Sequence, residues 1–459
     1  PAMLGVAPQT PPAATPRRAA GGPAPDWALV RALRAAAAAR ITDMLADDPA
    51  LDLAAAGPRV VTGVVADHIS TAAAAGTPPP TPAEQTGLVD AVGNALFGLG
   101  RLQPLVDDPR VENIEITGAD NVLLVLSDGS LEQGPPVADS DAELLEQLTF
   151  LAARTEGAAR MFSPAHPRLH LTLGDTARLA ATAYVTPRPT VVIRVHRLRQ
   201  VTLSDLVGRD MLDPALASLL AAAVRAGKSI VVSGPQGSGK TTLIRALAAE
   251  LDPYERVGTL ETERELHLHA LPDRHHRVVA WEARVGSGER GPDGRPAGEI
   301  TLDELVADSL RYNLSRLIVG EVRGPEVLAM FKAMQTGAGS MSTTHAHSAR
   351  AAIERLVTCA MEAGPHVTDA FAYRQVAAHI NLIVQTTMRT TGGHHRPTRT
   401  RYVTEVIAVE PGEDGRPATT SLWAPDPATG RAIPGTLPAS WAGELAEHGF
   451  TPGRGGGHR

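Results

Sequence analysis

At 459 residues the chain is too long for one hydrophobic core, and length alone predicts about three domains. Hydrophobic residues make up 43% and the formal net charge is −7, a composition that describes a soluble globular protein and argues against a dominant nucleic-acid surface. No apolar run approaches the roughly 20 residues needed to cross a bilayer, and a single cysteine, Cys359, permits no internal disulfide, so a reducing, cytoplasmic setting is expected.

Residues 1–25 are rich in Pro and Ala with few large apolar side chains, and are expected to form a disordered tail. From Asp26, an expected N-cap, Val30, Leu33, Ala37, Ile41, Met44 and Leu45 recur at helical spacing. More helical material follows at Val60 to Ala75 and, after Pro78-Pro79-Pro80, at Glu84 to Leu99, so residues 26–100 read as a small helical module. Over residues 101–198 the period changes. Ile114 and Ile116 alternate with polar residues, Val122 to Leu126 leads into an Asp128-Gly129 turn, and Leu169, Leu171 and Leu173 alternate before Gly174. Ser140 and Glu143 form the signature of a capping box ahead of Leu144, Leu145, Leu148 and Leu151. Val191, Ile193 and Val195 line one face of a strand and leave Arg194 on the other. The segment is expected to be an α+β domain.

Residues 199–205 read as a linker. Over residues 206–410 strands alternate with helical stretches, the pattern of an α/β fold with a parallel sheet flanked by helices. The strands are expected at Ile230 to Ser233, Val257 to Leu260, Leu317 to Gly320, Ser340 to Thr344, Leu382 to Val384 and Tyr402 to Val409. Residues 411–459 are expected to be a flexible tail.

Ile230 to Arg245 joins a β-branched strand, a glycine-rich turn and the start of an apolar helical stripe. Within it, Gly234-Pro235-Gln236-Gly237-Ser238-Gly239-Lys240-Thr241-Thr242 fits the G-x-x-x-x-G-K-[ST] phosphate cradle. The glycines let successive amides turn toward phosphate oxygens at a helix N-terminus. Lys240 is expected to reach the β and γ phosphates of ATP, and Thr241 to supply a hydroxyl to Mg²⁺. Only three lysines, Lys228, Lys240 and Lys332, occur among 43 basic residues, so the ammonium kept at 240 points to chemistry that a planar guanidinium does not fit.

Leu317-Ile318-Val319-Gly320-Glu321 is an apolar strand ending in a carboxylate, which marks Glu321 as the leading catalytic candidate beside Mg²⁺ and the attacking water. Glu261, at the end of another strand, is a second candidate for orienting water, with Glu265 as a substitute. His345 follows Ser340-Met341-Ser342-Thr343-Thr344 at a strand end, where a neutral imidazole can donate to the γ-phosphate.

The run LIVGEVRGPEVLAMFKAMQTGAGSMSTTHAHS resembles the Walker B and His boxes of the type II/type IV secretion-system ATPases, especially the CpaF-like motors of Tad/Flp pili. TLETEREL is similar to their Asp box, and FGLGRLQPLVDDPRVENIEITG to the entry of their N-terminal domain. The resemblance implies a RecA-like ATPase domain behind an α+β domain and a homohexamer. It also implies inner-membrane platform partners at the cytoplasmic face of the membrane, and work on a pilus or on secreted protein. It places Arg178, Arg194 and Arg323 on the nucleotide phosphates. Thr262, Asn313-Leu314-Ser315 and His347 depart from the family pattern, which leaves open a slow ATPase or a nucleotide-binding scaffold. A DNA-transfer motor is the alternative within the same superfamily.

Overall fold

The computed structural model describes residues 25–450 apart from 155–160, 175–176, 197–199, 285, 287–289, 293, 337–338 and 393–396. The tail expected at the start of the chain lies, up to residue 24, outside the described residues. The chain divides into two compact units, Pro1–Arg197 and Leu198–Arg459.

In the first unit, Asp26 accepts from the amides of Ala28 and Leu29 and starts α1 (Trp27–Asp47). Asp52 starts α2 (Leu53–Ala74) in the same way, and a Thr81–Glu84 capping box starts α3 (Pro82–Phe97). Val30, Leu33, Ala37 and Ile41 meet Val60, Val61, Val64, Val65, Ala91 and Val92 in a core of their own. After a short helix α4 (Gln103–Asp107) come β1 (Val111–Thr117), β2 (Asn121–Leu126), β3 (Leu131–Gln133), α5 (Asp141–Arg154), β4 (Arg168–Leu173), β5 (Ala177–Thr182) and β6 (Thr190–Val195). The strands form one antiparallel sheet in the order 3-2-1-6-5-4. Their alternation buries Ile114, Ile116, Leu169, Leu171, Val191, Ile193 and Val195 with Leu144 and Leu148 of α5. The Ser140 hydroxyl accepts from the Glu143 amide at 3.2 Å, whereas the Glu143 carboxylate takes the Asp139 amide. The boundary expected near residue 100 therefore separates two cores but not two units. Arg31 pairs with Asp139 at 2.7 Å and Glu143 at 3.1 Å, and the Arg101 guanidinium sits 4.7 Å from the centre of the Trp27 ring.

In the second unit the linker expected at 199–205 is partly helical. A Thr202–Asp205 capping box starts α6 (Leu203–Gly208), and Val201 and Leu203 are buried in the core. Asp213 caps α7 (Pro214–Arg225), followed by β7 (Ile230–Ser233), α8 (Lys240–Ala248), β8 (Val257–Glu261), β9 (Val278–Glu282), α9 (Leu302–Ser309), β10 (Arg316–Val322), α10 (Val327–Thr336), β11 (Met341–Thr344), α11 (Ala349–Met361), α12 (Asp369–His379) and β12 (Leu382–Thr391). β12, β7, β11, β10, β8 and β9 pair in parallel, in that order. Ile230 and Val232 face one core with α6, α7 and α8, and Val231 faces the other with α9 to α12, which makes three layers.

β13 (Thr398–Pro411), β14 (Pro417–Pro425) and β15 (Ala432–Pro434) extend this sheet with antiparallel pairing, and α13 (Ala439–Glu447) follows. The flexible tail expected from 411 onward is thus ordered structure through 450. Leu422, Trp423, Trp441, Leu445 and Phe450 are buried in the core, and burying them together orders a segment whose spacing of apolar residues is otherwise sparse.

Candidate functional site

β7 is buried along its whole length and delivers the chain to the glycine-rich turn at the carboxyl edge of the sheet. Gly234 (φ 151°) leaves the strand where an added Cβ would lie 2.4 Å from the Thr386 carbonyl, and Gly239 (φ 91°) caps α8 in the left-handed region. Both need glycine. Among the described residues the amides of Gly237 and Gly239 have no acceptor. Pro235 and Gln236 lie exposed at the tip of the turn, and Thr242 is half-buried in the first turn of α8.

Lys240 is 7% exposed, folded back into the turn, and its Nζ donates to the Gly234 and Pro235 carbonyls at 3.1 Å each. The same Nζ lies 3.2 Å from His345 Nδ1, while His345 Nε2 lies 2.6 Å from Glu321 Oε1. Nδ1 lies 3.2 Å from both the Lys240 ammonium and the Gly234 carbonyl; in the neutral tautomer with Nε2–H donating to the Glu321 carboxylate, Nδ1 accepts from the ammonium. Burial, then the Lys240 cation, hold the His345 pKa below its usual value against the pull of Glu321, consistent with a neutral ring. Arg323 Nε donates to Glu321 Oε2 at 2.7 Å. Four residues expected at the site, Lys240, His345, Glu321 and Arg323, are therefore linked in one row. β11 is held against β10 by Thr343 and Thr344, whose hydroxyls donate to the Gly320 and Val322 carbonyls, and this sets His345 beside Glu321.

The other two carboxylates divide differently from expectation. Glu261 is 3% exposed, and its Oε1 accepts from the amides of Glu265 (2.9 Å) and Leu266 (3.0 Å). Burial pushes its pKa up to about 7, against those two hydrogen bonds. Its carboxyl fastens the turn after β8. Glu265, carried by that turn, accepts from the Thr241 hydroxyl at 2.9 Å. Arg178 and Arg194 are register partners on β5 and β6 of the first unit, both half-buried on the face away from the core.

The departures at 313–315 form a turn into β10. Asn313 takes a left-handed conformation (φ 51°) that asparagine tolerates, Leu314 packs on Gly258, and the Ser315 hydroxyl bonds the Arg256 backbone. Thr262 and His347 are exposed.

Sequence reading missed the wall behind the cradle. Ser238 and Thr386 hydroxyls meet at 2.8 Å, Arg401 Nε donates to the Gly237 carbonyl at 2.7 Å, and Met211 and Met388 pack beside Gly239 and Gly237. Met211, Thr386, Met388 and Arg401 come from α6's exit and from β12 and β13, and carry no local motif.

ATP and Mg²⁺ fit these residues. The cradle offers unbonded amides at a helix N-terminus, a buried ammonium, and a threonine hydroxyl next to a carboxylate. Among the described residues no group of three His, Cys, Asp or Glu could hold a metal ion.

The fold and this cradle define an α/β protein with a P-loop motif at the carboxyl edge of a parallel sheet. The model of the Type II/IV secretion system protein family matches residues 114–420, well over half of the chain, and the chain belongs to that family. An uncharacterized protein of Methanocaldococcus jannaschii is 30% identical over 279 residues, covering 60% of this chain and 48% of that protein. The chain thus spans about half the length of that relative. A putative conjugal transfer protein of Mycobacterium tuberculosis is 29% identical over 336 residues, covering 72% of this chain and 90% of the relative. Among solved structures, the Legionella pneumophila ATPase DotB is similar at 18% identity with a TM-score of 0.47, covering 67% of this chain and 79% of that chain. Among the described residues no helix is long and apolar enough to cross a membrane.

Proposed function

We propose that this chain is an ATPase that drives a pilus-assembly or secretion machine from the cytoplasmic face of the membrane, as a ring of six identical subunits. The observation that carries the reading is the Lys240–His345–Glu321 row inside a P-loop. When bound, Mg²⁺-ATP supplies the scissile anhydride and the charge that offsets it. Lys240 exchanges two carbonyl acceptors for phosphate oxygens. That exchange takes the ammonium away from His345 Nδ1, beside which the Gly234 carbonyl remains at 3.2 Å, and alters the ring's hold on Glu321, so phosphate occupancy is reported to the carboxylate that the row restrains. Glu265, next to Thr241, orients the attacking water, and Glu321 supports it; Glu261 keeps its carboxyl for the backbone and positions Glu265. Arg323 steadies Glu321. Arg178 and Arg194 act on the phosphates, as the family resemblance implies. The CpaF-like, Tad-pilus assignment and inner-membrane platform partners belong to the same proposal.

Phosphate release from the wild type, Glu321→Gln, Glu265→Gln and Glu261→Gln tests it. No Mg²⁺-ATP turnover by the wild type would leave a nucleotide-binding scaffold. A second reading, a motor for DNA transfer, is favoured by the name of the mycobacterial relative, while the net charge of −7 weighs against direct DNA contact. Stimulation of phosphate release by DNA would favour that reading.

A further inference from the structure

We infer that Arg401 is a positioning residue of the phosphate cradle: it holds the Gly237 carbonyl outward and with it the Ser238 N–H inward across the loop, which keeps the loop in the shape of a cradle. The inference rests on the P-loop reading for its functional half, and on geometry alone for its structural half.

β12 runs parallel to β7 up to the Gln385–Ser233 pair and then continues past the end of β7, where the chain turns into the cradle. On this extension β13 pairs Arg401 with Met388 and Val403 with Thr386. These alternate pairs share one face of the ribbon, and that face is the one against the cradle. Thr386 reaches Ser238, the Met388 methyl lies 3.6 Å from where a Cβ on Gly237 would stand, and Arg401 Nε donates to the Gly237 oxygen at 2.7 Å. The stem of Arg401 is 3.8 Å from the Cβ position of Gly239. β13 is itself anchored here, since Val403 is 2% exposed and its amide donates to the Met211 carbonyl at 2.8 Å.

Planarity of the peptide gives this contact its leverage. Fixing the Gly237 carbonyl also fixes the Ser238 N–H on the opposite side of the same plane. That N–H points across the loop to the Pro235 carbonyl at 3.3 Å, a long bond. Gly237 has φ 76° and no side chain to restrict it, so nothing in its own covalent structure keeps this peptide from rotating. A guanidinium on a carbonyl is a charge-assisted donor with no acceptor of its own, and it is delivered from a paired strand rather than from the loop. The antiparallel extension of the sheet therefore serves as a rigid back wall for a loop that is otherwise held by glycines.

The test uses the full chain. Arg401→Met keeps the aliphatic stem and removes the donors, and Arg401→Lys restores one donor. Hydrogen–deuterium exchange of the 234–241 segment is measured without nucleotide, together with the affinity for a fluorescent Mg²⁺-ATP analogue and the melting temperature. Arg401→Met is expected to speed exchange in this segment about tenfold and weaken the analogue about tenfold at unchanged melting temperature, with Arg401→Lys between it and wild type. Wild-type exchange in Arg401→Met overturns the inference. So does undiminished affinity in Arg401→Met when Lys240→Ala has lost binding. If Lys240→Ala binds as tightly as wild type, the nucleotide reading fails instead, and the exchange measurement still decides whether Arg401 holds the loop.

Discussion

Glu261 shows how one carboxyl can be engaged by the backbone through its surroundings. Its ordinary value of 4.5 is raised to about 7 in the fold, so between those values the folded protein binds more protons than the unfolded chain. Its contribution to stability therefore falls as pH rises from 4.5 to 7 and is lowest above 7, a change of roughly 3 kcal/mol at most. Glu261→Gln keeps an acceptor for the Glu265 and Leu266 amides and removes the titration. Thermal unfolding between pH 5 and 8 should then lose part of its decline; a slope equal to wild type would place the titration elsewhere. Glu265→Gln and Glu321→Gln should each retain Mg²⁺-ATP and lose about two orders of magnitude in turnover, the usual scale for a positioned acid–base group. If Glu261→Gln alone produced that loss, water orientation would return to position 261. Lys240→Ala should abolish tight ATP binding with the fold intact, because no other residue expected at the cradle places an ammonium there; isothermal titration reads this directly.

At the scale of elements, the end of the chain has a structural task. α13 packs Trp441 (5% exposed) and Leu445 into the core on the α7 side of the sheet. Lys228, just before β7, pairs with Glu444 at 2.7 Å and lies 4.8 Å from the centre of the Trp441 ring. Trp441→Ala should cost about 3–5 kcal/mol, the range for deleting a buried aromatic. In a denaturant titration the midpoint should fall with the slope unchanged; an unaltered midpoint would mean that α13 is dispensable. The same logic explains why Lys228 is retained in a chain that uses arginine nearly everywhere: a slim ammonium fits between a carboxylate and an indole face.

At the scale of the whole molecule, the first unit has two arginines for which a phosphate role is proposed. Arg178 and Arg194 are cross-strand neighbours in the first unit, set side by side by the β5–β6 register. Each is proposed to bind phosphate oxygens, a contact in which one charged hydrogen bond is worth about ten- to hundredfold. Arg178→Ala and Arg194→Ala are therefore expected to lower phosphate release by that factor without changing the unfolding of the first unit. Unchanged rates in both would confine the active machinery to the second unit. The proposed ring of six is measured by sedimentation with and without nucleotide.

The sequence alone determined what depends on neighbours a few residues apart. The β7–cradle–α8 run, the caps at Asp26 and the Ser140 hydroxyl, the alternation on β1, β4 and β6, and the strand ends that carry Glu321 and His345 follow from local periodicity and turn chemistry. Only the tertiary structure decided contacts made across the sheet. Lys240 and His345 are 105 residues apart and Arg401 and Gly237 are 164 apart, and no period in the sequence encodes such pairs. Glu261 and Glu265 look interchangeable along the chain. Folding separates them, because one is buried under two backbone amides and the other is left beside Thr241. The residues after 411 look too polar for a core, yet they become ordered because strand pairing with β13 satisfies their backbone and lets a few aromatic side chains bury together.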